Sequence, residues 1–240
     1  MYQERRYRRY FKGINLVFFN VRIYETDLEI GAEKDLTDVA RACVLKYRKQ
    51  LEDYIREHPL FLTSLVPLEA TENAPLIVQN MCMAAARANV GPMAAVAGAI
   101  SELVGKELLN HSSNVIVENG GDIFIKSTIT RKVGIYAGKS PLSNRIAVEI
   151  LPEMTPMGIC TSSGTVGHSL SFGKADAVVV LSRDTALADA AATAACNIVK
   201  SAEDIEKGLA LLSHIRGIEG GIVIIGEKMG AWGNVKLTEY

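Results

Sequence analysis

The spacing of apolar residues changes along the chain, and the change divides it into runs of different structure. Residues 16–32 are rich in Val, Ile, Phe and Tyr, which predicts two strands, 16–21 and 22–32. Leu36, Val39, Cys43, Tyr47, Leu51 and Tyr54 then recur at three- and four-residue steps. That spacing predicts a helix to about Arg56, capped by Asp35 or Thr37, with Cys43 on its apolar stripe. His58-Pro59 ends it, and residues 61–68 read as extended. Pro75 suits the first turn of a second helix, 75–88, which carries Cys82. Asn89-Val90-Gly91 breaks the chain, and Pro92 restarts a helix to about Leu109. The start of that helix is mostly Ala and Gly, which permits close packing or the approach of a ligand to backbone.

After about residue 113 the period shortens. Strands are predicted at 114–118, 122–127, 133–137 and 145–151, as a meander, and at 175–181. An Ala-rich helix follows at 185–199. Ser201 and Asp204 resemble a capping box for another helix to about His214. Residues 221–225 form an apolar strand that 235–239 can pair with. Helices and strands come in separate runs rather than in alternation, which favours α+β. No linker or repeat interrupts residues 1–240, so one domain is expected.

Composition narrows the partners. Lys plus Arg is 26 against 27 Asp plus Glu, and 48% of residues are hydrophobic. Disorder and a bulk polyelectrolyte partner such as nucleic acid are excluded. The four Cys (Cys43, Cys82, Cys160, Cys196) form no CxxC pair, so neither a disulfide scaffold nor a structural zinc site is expected. The N-terminus has no apolar signal region, and no run of about 20 apolar residues exists. A cytoplasmic protein without a membrane segment is the expectation. Arg5, Arg6, Arg8, Arg9 and Lys12 cluster at the start, as a solvated arm or as one that docks phosphate or a partner.

Three segments concentrate chemistry. Glu118-Asn119-Gly120-Gly121-Asp122 lies between two predicted strands. Its glycines make a tight turn, or let backbone N–H groups reach a ligand beside Asn119 and Asp122. Residues 158–169 hold five hydroxyls, three Gly, Cys160 and His168. Thr161, Ser162, Ser163 and Gly164 suit a loop that wraps an anion with N–H and O–H donors. The G-K-[ST] ending of a P-loop is absent. Asp189 and Thr193 are four apart on the Ala-rich helix and share a face. A carboxylate and a hydroxyl suit Mg2+, which prefers oxygen and phosphate ligands; equally, they are a helix-start Asp and a packed Thr. His168 is a candidate general base, whereas no G-x-S-x-G elbow supports a serine hydrolase.

Taken in order, these segments resemble the ApbE superfamily of flavin transferases. Asn119-Gly120-Gly121-Asp122-Ile123 is similar to its N-x-G-G-[DN]-I turn, Ser163-Gly164 to its T-S-G loop, and Ala188-Asp189-Ala190-Ala191-Ala192-Thr193-Ala194 to its A-D-A-x-x-T-A helix. The resemblance implies an α+β, ApbE-like (T-fold-like) single domain with mixed or antiparallel sheets and packed helices. It implies a cleft for a pyrophosphate-containing ligand such as FAD, cradled by residues 119–122 and 161–164, with Mg2+ on Asp189 and Thr193. The family moves FMN from FAD onto a Ser or Thr of a target protein. Here Ala95-Val96-Ala97-Gly98 stands where the family's G-x-A-K-G has lysine, and the family's H-I-x-x-P-x-T-G segment has no counterpart. In Glu25-Thr26-Asp27-Leu28, in Val90-Gly91-Pro92-Met93-Ala94-Ala95 and in the segment from Cys160 to Ser169, the whole chain resembles a smaller ApbE-like branch associated with sulfide assimilation and homocysteine formation in anaerobes. That association implies a pathway with a protein partner, and it makes Cys160 either a stabilised thiolate that handles sulfur or a small loop filler beside the core. A non-catalytic assembly subunit is the third reading.

Overall fold

The computed structural model describes residues 13–166 and 171–240; the basic cluster at 5–12 and His168 lie outside them. Eight strands form one sheet in the order β1(Val17–Ile23), β2(Thr26–Ala32), β3(Val115–Asn119), β4(Asp122–Lys126), β7(Met157–Ser162), β8(Ala177–Ser182), β9(Ile218–Ile225), β10(Lys228–Gly233). A three-stranded sheet runs β11(Leu237–Glu239), β6(Ile146–Ile150), β5(Arg131–Gly134). The pairings in both sheets are antiparallel.

Strand alternation sorts side chains between two cores. Val115 and Val117 of β3, Cys160 of β7 and Val178 and Val180 of β8 join the larger core, formed with the helices. Met157 and Ile159 of β7, Ala177, Val179 and Leu181 of β8 and Val148 and Ile150 of β6 form the second, beneath the small sheet. The helices are α1(Thr37–Glu57), α2(Leu60–Thr63), α3(Leu76–Ala88), α4(Val96–Leu108), α5(Thr185–Ile198) and α6(Ile205–His214). No helix of the described residues is long and apolar enough to cross a membrane.

Local chemistry explains the boundaries. The Asp35 carboxylate accepts the Thr37 N–H at 2.8 Å, and Cys43, Tyr47, Leu51 and Tyr54 of α1 are buried along one stripe. Asn89 ends α3 in the left-handed region (φ 55°), which a short polar side chain tolerates. The Ser201–Asp204 capping box forms, and α6 follows it. Gly105 lets α4 lie directly on β4, since a Cβ there would sit 2.1 Å from the Phe124 ring.

Four expectations need correction. Residues 61–68 are not extended throughout: Pro59 starts one helical turn, Leu60–Thr63, anchored by buried Phe61. The predicted meander splits, because β3 and β4 belong to the large sheet whereas β5 and β6 form the small one. Residues 237–239 pair with β6 rather than β9, whose edge is taken by β10 through a turn at Gly226. Residues 157–162 are a strand, whereas 158–169 reads in sequence as a loop.

Candidate functional site

The β3–β4 turn is tight because Gly120 and Gly121 both take positive φ (71° and 108°), and Asn119 pairs directly with Asp122. The Glu118 carboxylate accepts the Gly121 N–H at 2.8 Å, and the Asn119 amide donates to the Ala97 carbonyl at 3.2 Å. The turn is thereby fixed against the start of α4. Asp122 opens β4 on the helix side, the same face as Phe124.

Helix α5 starts on Asp184, whose carboxylate accepts the Leu187 N–H at 3.0 Å. The buried Glu102 carboxylate of α4 accepts the N–H of Thr185 at 2.8 Å. Gly98 allows α4 and α5 to touch, because a Cβ would meet the Thr185 carbonyl at 2.5 Å. Its N–H donates to Asp189 Oδ2 at 2.8 Å. Asp189 is therefore aimed by a backbone contact that only glycine permits. Glu102 is a site-supporting residue that the sequence reading missed. Its signal is a carboxylate inside the apolar run Ile100-Ser101-Glu102-Leu103-Val104.

Asp122 and Asp189 face one another electrostatically across this packing. Burial pushes the Asp122 carboxyl well above the usual range, and the charges of Asp189 and Glu118 add to it. Asp189 is pushed up to about 7 by burial, partly offset by backbone N–H donors at Gly98 and Ala97. Asp122 is buried, and its Oδ1 has no hydrogen-bond partner among the described residues. The Ser162 hydroxyl, also buried, has none either.

Asn119, Gly120, Gly121, Asp122, Thr161, Ser162, Ser163, Asp189 and Thr193 all line one cleft of about 1980 Å3. The cleft wraps around the β3–β4 turn. Asp122, Ser162, Asp189 and Thr193 lie on its helix side, and Ile123 and Thr161 on the side of the small sheet. One of the sequence candidates is placed differently. Gly164 does not line it: its role is a backbone crossing, since a Cβ would sit 2.1 Å from the Gly173 carbonyl. Ser163 has structural work besides, accepting the N–H groups of Thr165 and Val166 at 3.1 and 2.9 Å.

Of the two readings of Cys160, the structure favours the filler beside the core. Cys160 lies on β7, fully buried, and its thiol donates to the Thr185 carbonyl at 3.4 Å. Burial pushes this thiol well above its ordinary value, and the charges of Asp122 and Asp189 push it further. Carboxylates rather than cations surround it, so the neutral thiol is the favoured form. Cys43, Cys82 and Cys196 are also free and buried.

The donor set at the carboxylates is all oxygen. No group of three or more His, Cys, Asp or Glu among the described residues could hold a metal ion. Two carboxylates and a hydroxyl fit a hard cation that keeps water or takes phosphate oxygens for its remaining positions.

Comparisons with known proteins bear on the family and the fold. A sequence model for the family described as AbpE bacteria matches residues 8–212. The UPF0280 protein of Methanococcus aeolicus is 41% identical over 226 residues, covering 92% of this chain and 91% of the relative. That of Methanocaldococcus jannaschii is 43% identical over 219 residues, covering 89% of each. The apo crystal structure of the flavinyl transferase ApbE of Pseudomonas stutzeri superposes with a TM-score of 0.57 at 16% identity, covering 91% of this chain and 94% of that one. At that identity the likeness speaks to the fold, which is the expected α+β fold with antiparallel sheets. The chain belongs to the ApbE-like family, together with the UPF0280 proteins.

Proposed function

We propose that the cleft binds a pyrophosphate-containing nucleotide, FAD or a related flavin, together with Mg2+. The observation that carries this reading is the meeting of the three sequence segments on one cleft with two carboxylates turned to the same place. Asp189 and Thr193 would hold the cation, with Asp122 beside them supplying its unpartnered oxygen. When bound, Mg2+ neutralises phosphate charge and draws electron density from phosphorus. The Gly120-Gly121 turn leaves room for a ligand against backbone, and Ser162 offers a hydroxyl with no internal partner. The carboxylates alone would repel a pyrophosphate, so the cation is what makes an anionic ligand compatible with this end of the cleft.

FMN transfer is not part of the proposal, since Ala95-Val96-Ala97-Gly98 supplies no lysine where the family motif has one. The sulfur-handling reading needs a thiolate at Cys160, and the acidic, buried surroundings oppose it.

The test is a titration of the purified full chain with FAD and with ADP, in MgCl2 and in EDTA, followed by calorimetry. Binding that needs Mg2+ and disappears in Asp189→Ala is the expected result. Absence of binding by the wild-type chain under both conditions would sink the reading and leave the assembly-subunit role standing.

A further inference from the structure

Arg131 opens β5 and lines the cleft beside the end of β4 opposite to Asp122. Asp122 begins β4 and Lys126 ends it, and the Arg131 Nε donates to the Ser127 hydroxyl just beyond, at 3.0 Å. Four strand steps put about 13 Å between the two ends. The cleft joins them over an apolar floor, Ile116 of β3 and Ile123 and Ile125 of β4, with Val133 and Ile135 on the small-sheet side.

The guanidinium itself is unusual. Arg131 is only 8% exposed, yet it lines the cleft. Its Nη1 donates to the Ile14 carbonyl at 3.0 Å. Two of its five N–H groups are thus used, and Nη2 has no partner among the described residues. No Asp or Glu of the described residues pairs with it, and burial alone pulls its pKa down. Arginine does not give up its proton in proteins, so the charge sits here with no carboxylate beside it, and Nη2, which is not sealed from solvent, is open to an acceptor in the cleft. The internal bonds do not explain the charge, because a neutral amide could donate to both a hydroxyl and a carbonyl.

We propose that Arg131 is the recognition group of a second subsite, which takes a planar, delocalised oxygen acceptor carried on an apolar body. Two sources share that chemistry: the carbonyl-bearing edge of a flavin ring, and the carboxylate of a separate substrate. The first rests on the nucleotide reading of the cleft, with phosphates at Asp189 and the ring reaching along the apolar floor. The second does not depend on that reading. In both, the free N–H groups of the guanidinium meet two oxygens, or an oxygen and a ring nitrogen, in a fork.

The experiment compares the wild-type chain with Arg131→Gln, which can keep both internal bonds, and Arg131→Lys, which keeps the charge. Each is titrated by calorimetry with FAD and with ADP, both with Mg2+, and with benzoate. A drop of about tenfold or more for FAD in Arg131→Gln, with ADP within about twofold, identifies the ring edge. A drop for benzoate with FAD unchanged identifies a carboxylate substrate. In both cases Arg131→Lys recovers part of the loss. Wild-type binding of benzoate through Arg131, without FAD or ADP binding, would remove the nucleotide reading and leave the subsite standing. Equal loss for FAD and ADP, unchanged binding of every probe by folded Arg131→Gln, or no wild-type binding of either FAD or benzoate overturns the subsite. Should Arg131→Gln fail to fold, the Arg131→Lys comparison decides: lost fork geometry must weaken FAD or benzoate while ADP is unaffected.

Discussion

Replacing Asp189 by Asn should stabilise the ligand-free protein at alkaline pH and destabilise nothing at acid pH. The Asp189 carboxyl is pushed up to about 7 in the folded chain, against about 3.9 in an unfolded one. Between these values the native state holds a proton that the unfolded state has released. Stability therefore falls as pH rises from about 4 to about 7, and the loss is complete above the folded value. The shift of about three pH units corresponds to at most about 4 kcal/mol. Asp189 is partly exposed to the cleft and shares its repulsion with Asp122, so about 2–3 kcal/mol is the working expectation. Asn keeps an oxygen for the Gly98 N–H and carries no charge. Urea unfolding of both proteins in EDTA, at steps between pH 4 and pH 8, reads the difference directly; groups remote from Asp189 cancel, whereas Asp122, relieved of its neighbour's charge, adds to the gain of the variant. The two should be nearly equal at pH 4, with the variant ahead at pH 8. Mg2+ at pH 8 should raise the stability of the wild type and leave the variant unmoved. A variant less stable than wild type at pH 8, or a difference that does not change with pH, would refute the reasoning.

Three further outcomes follow from single contacts. Ser162→Ala removes a buried hydroxyl with no partner and should raise stability by about 1 kcal/mol while weakening FAD binding, as unfolding and titration curves would report. Gly98→Ala drives a methyl to within 2.5 Å of the Thr185 carbonyl and 2.8 Å of Asp189 Cβ; it should cost about 1–3 kcal/mol and disturb Mg2+-dependent binding, because backbone cannot yield as a side chain does. All four thiols are buried, so a thiol reagent such as DTNB should react with the native protein only at the rate of unfolding. One fast equivalent mapped to Cys160 by mass spectrometry would restore the thiolate reading.

Elements with one buried stripe were legible from sequence. Helix α1 shows its core face as Cys43, Tyr47, Leu51 and Tyr54 because the opposite face meets water. Strand β7 was not legible because both of its faces are covered. Met157 and Ile159 enter the second core, whereas Gly158 and Cys160 lie under α5. Gly158 has to be glycine there, since a Cβ would meet the Thr185 Cα at 2.6 Å. Small and hydroxyl residues that let a helix sit close read, in one dimension, as a loop. The candidate site was legible as three segments, and Asp122 and Asp189 were both named. Their mutual effect was not legible, because it depends on β4 lying beside β7 in the sheet with α5 packed across them. Arg131 gave no sequence signal at all. An arginine in a strand rich in polar neighbours, Thr128 to Lys132, is ordinary until its burial is known.

The distribution of unsatisfied polar atoms is what separates this cleft from a packing defect. Buried polar groups away from it are well supplied. Asn114 accepts from the Ser127 hydroxyl and from the N–H and hydroxyl of Thr128, and donates to Glu33. Among the described residues the buried side-chain atoms left without a partner are Arg48 Nε, Asp122 Oδ1, Ser162 Oγ and Thr185 Oγ1. The first three belong to residues that line the cleft, which Arg131, with no acidic partner among the described residues, also lines. Each such group costs about 1–3 kcal/mol when nothing meets it. Apart from Thr185 Oγ1, these unmet atoms gather along one cleft, where a ligand would remove their cost. The open groups also differ in kind, with the carboxylates of Asp122 and Asp189 beside the turn and the guanidinium of Arg131 beyond the far end of β4. A symmetrical or purely anionic ligand would satisfy one end and offend the other. The arrangement therefore favours a long ligand whose two ends differ in charge and chemistry, metal-bound phosphate at Asp189 and a neutral or delocalised acceptor at Arg131.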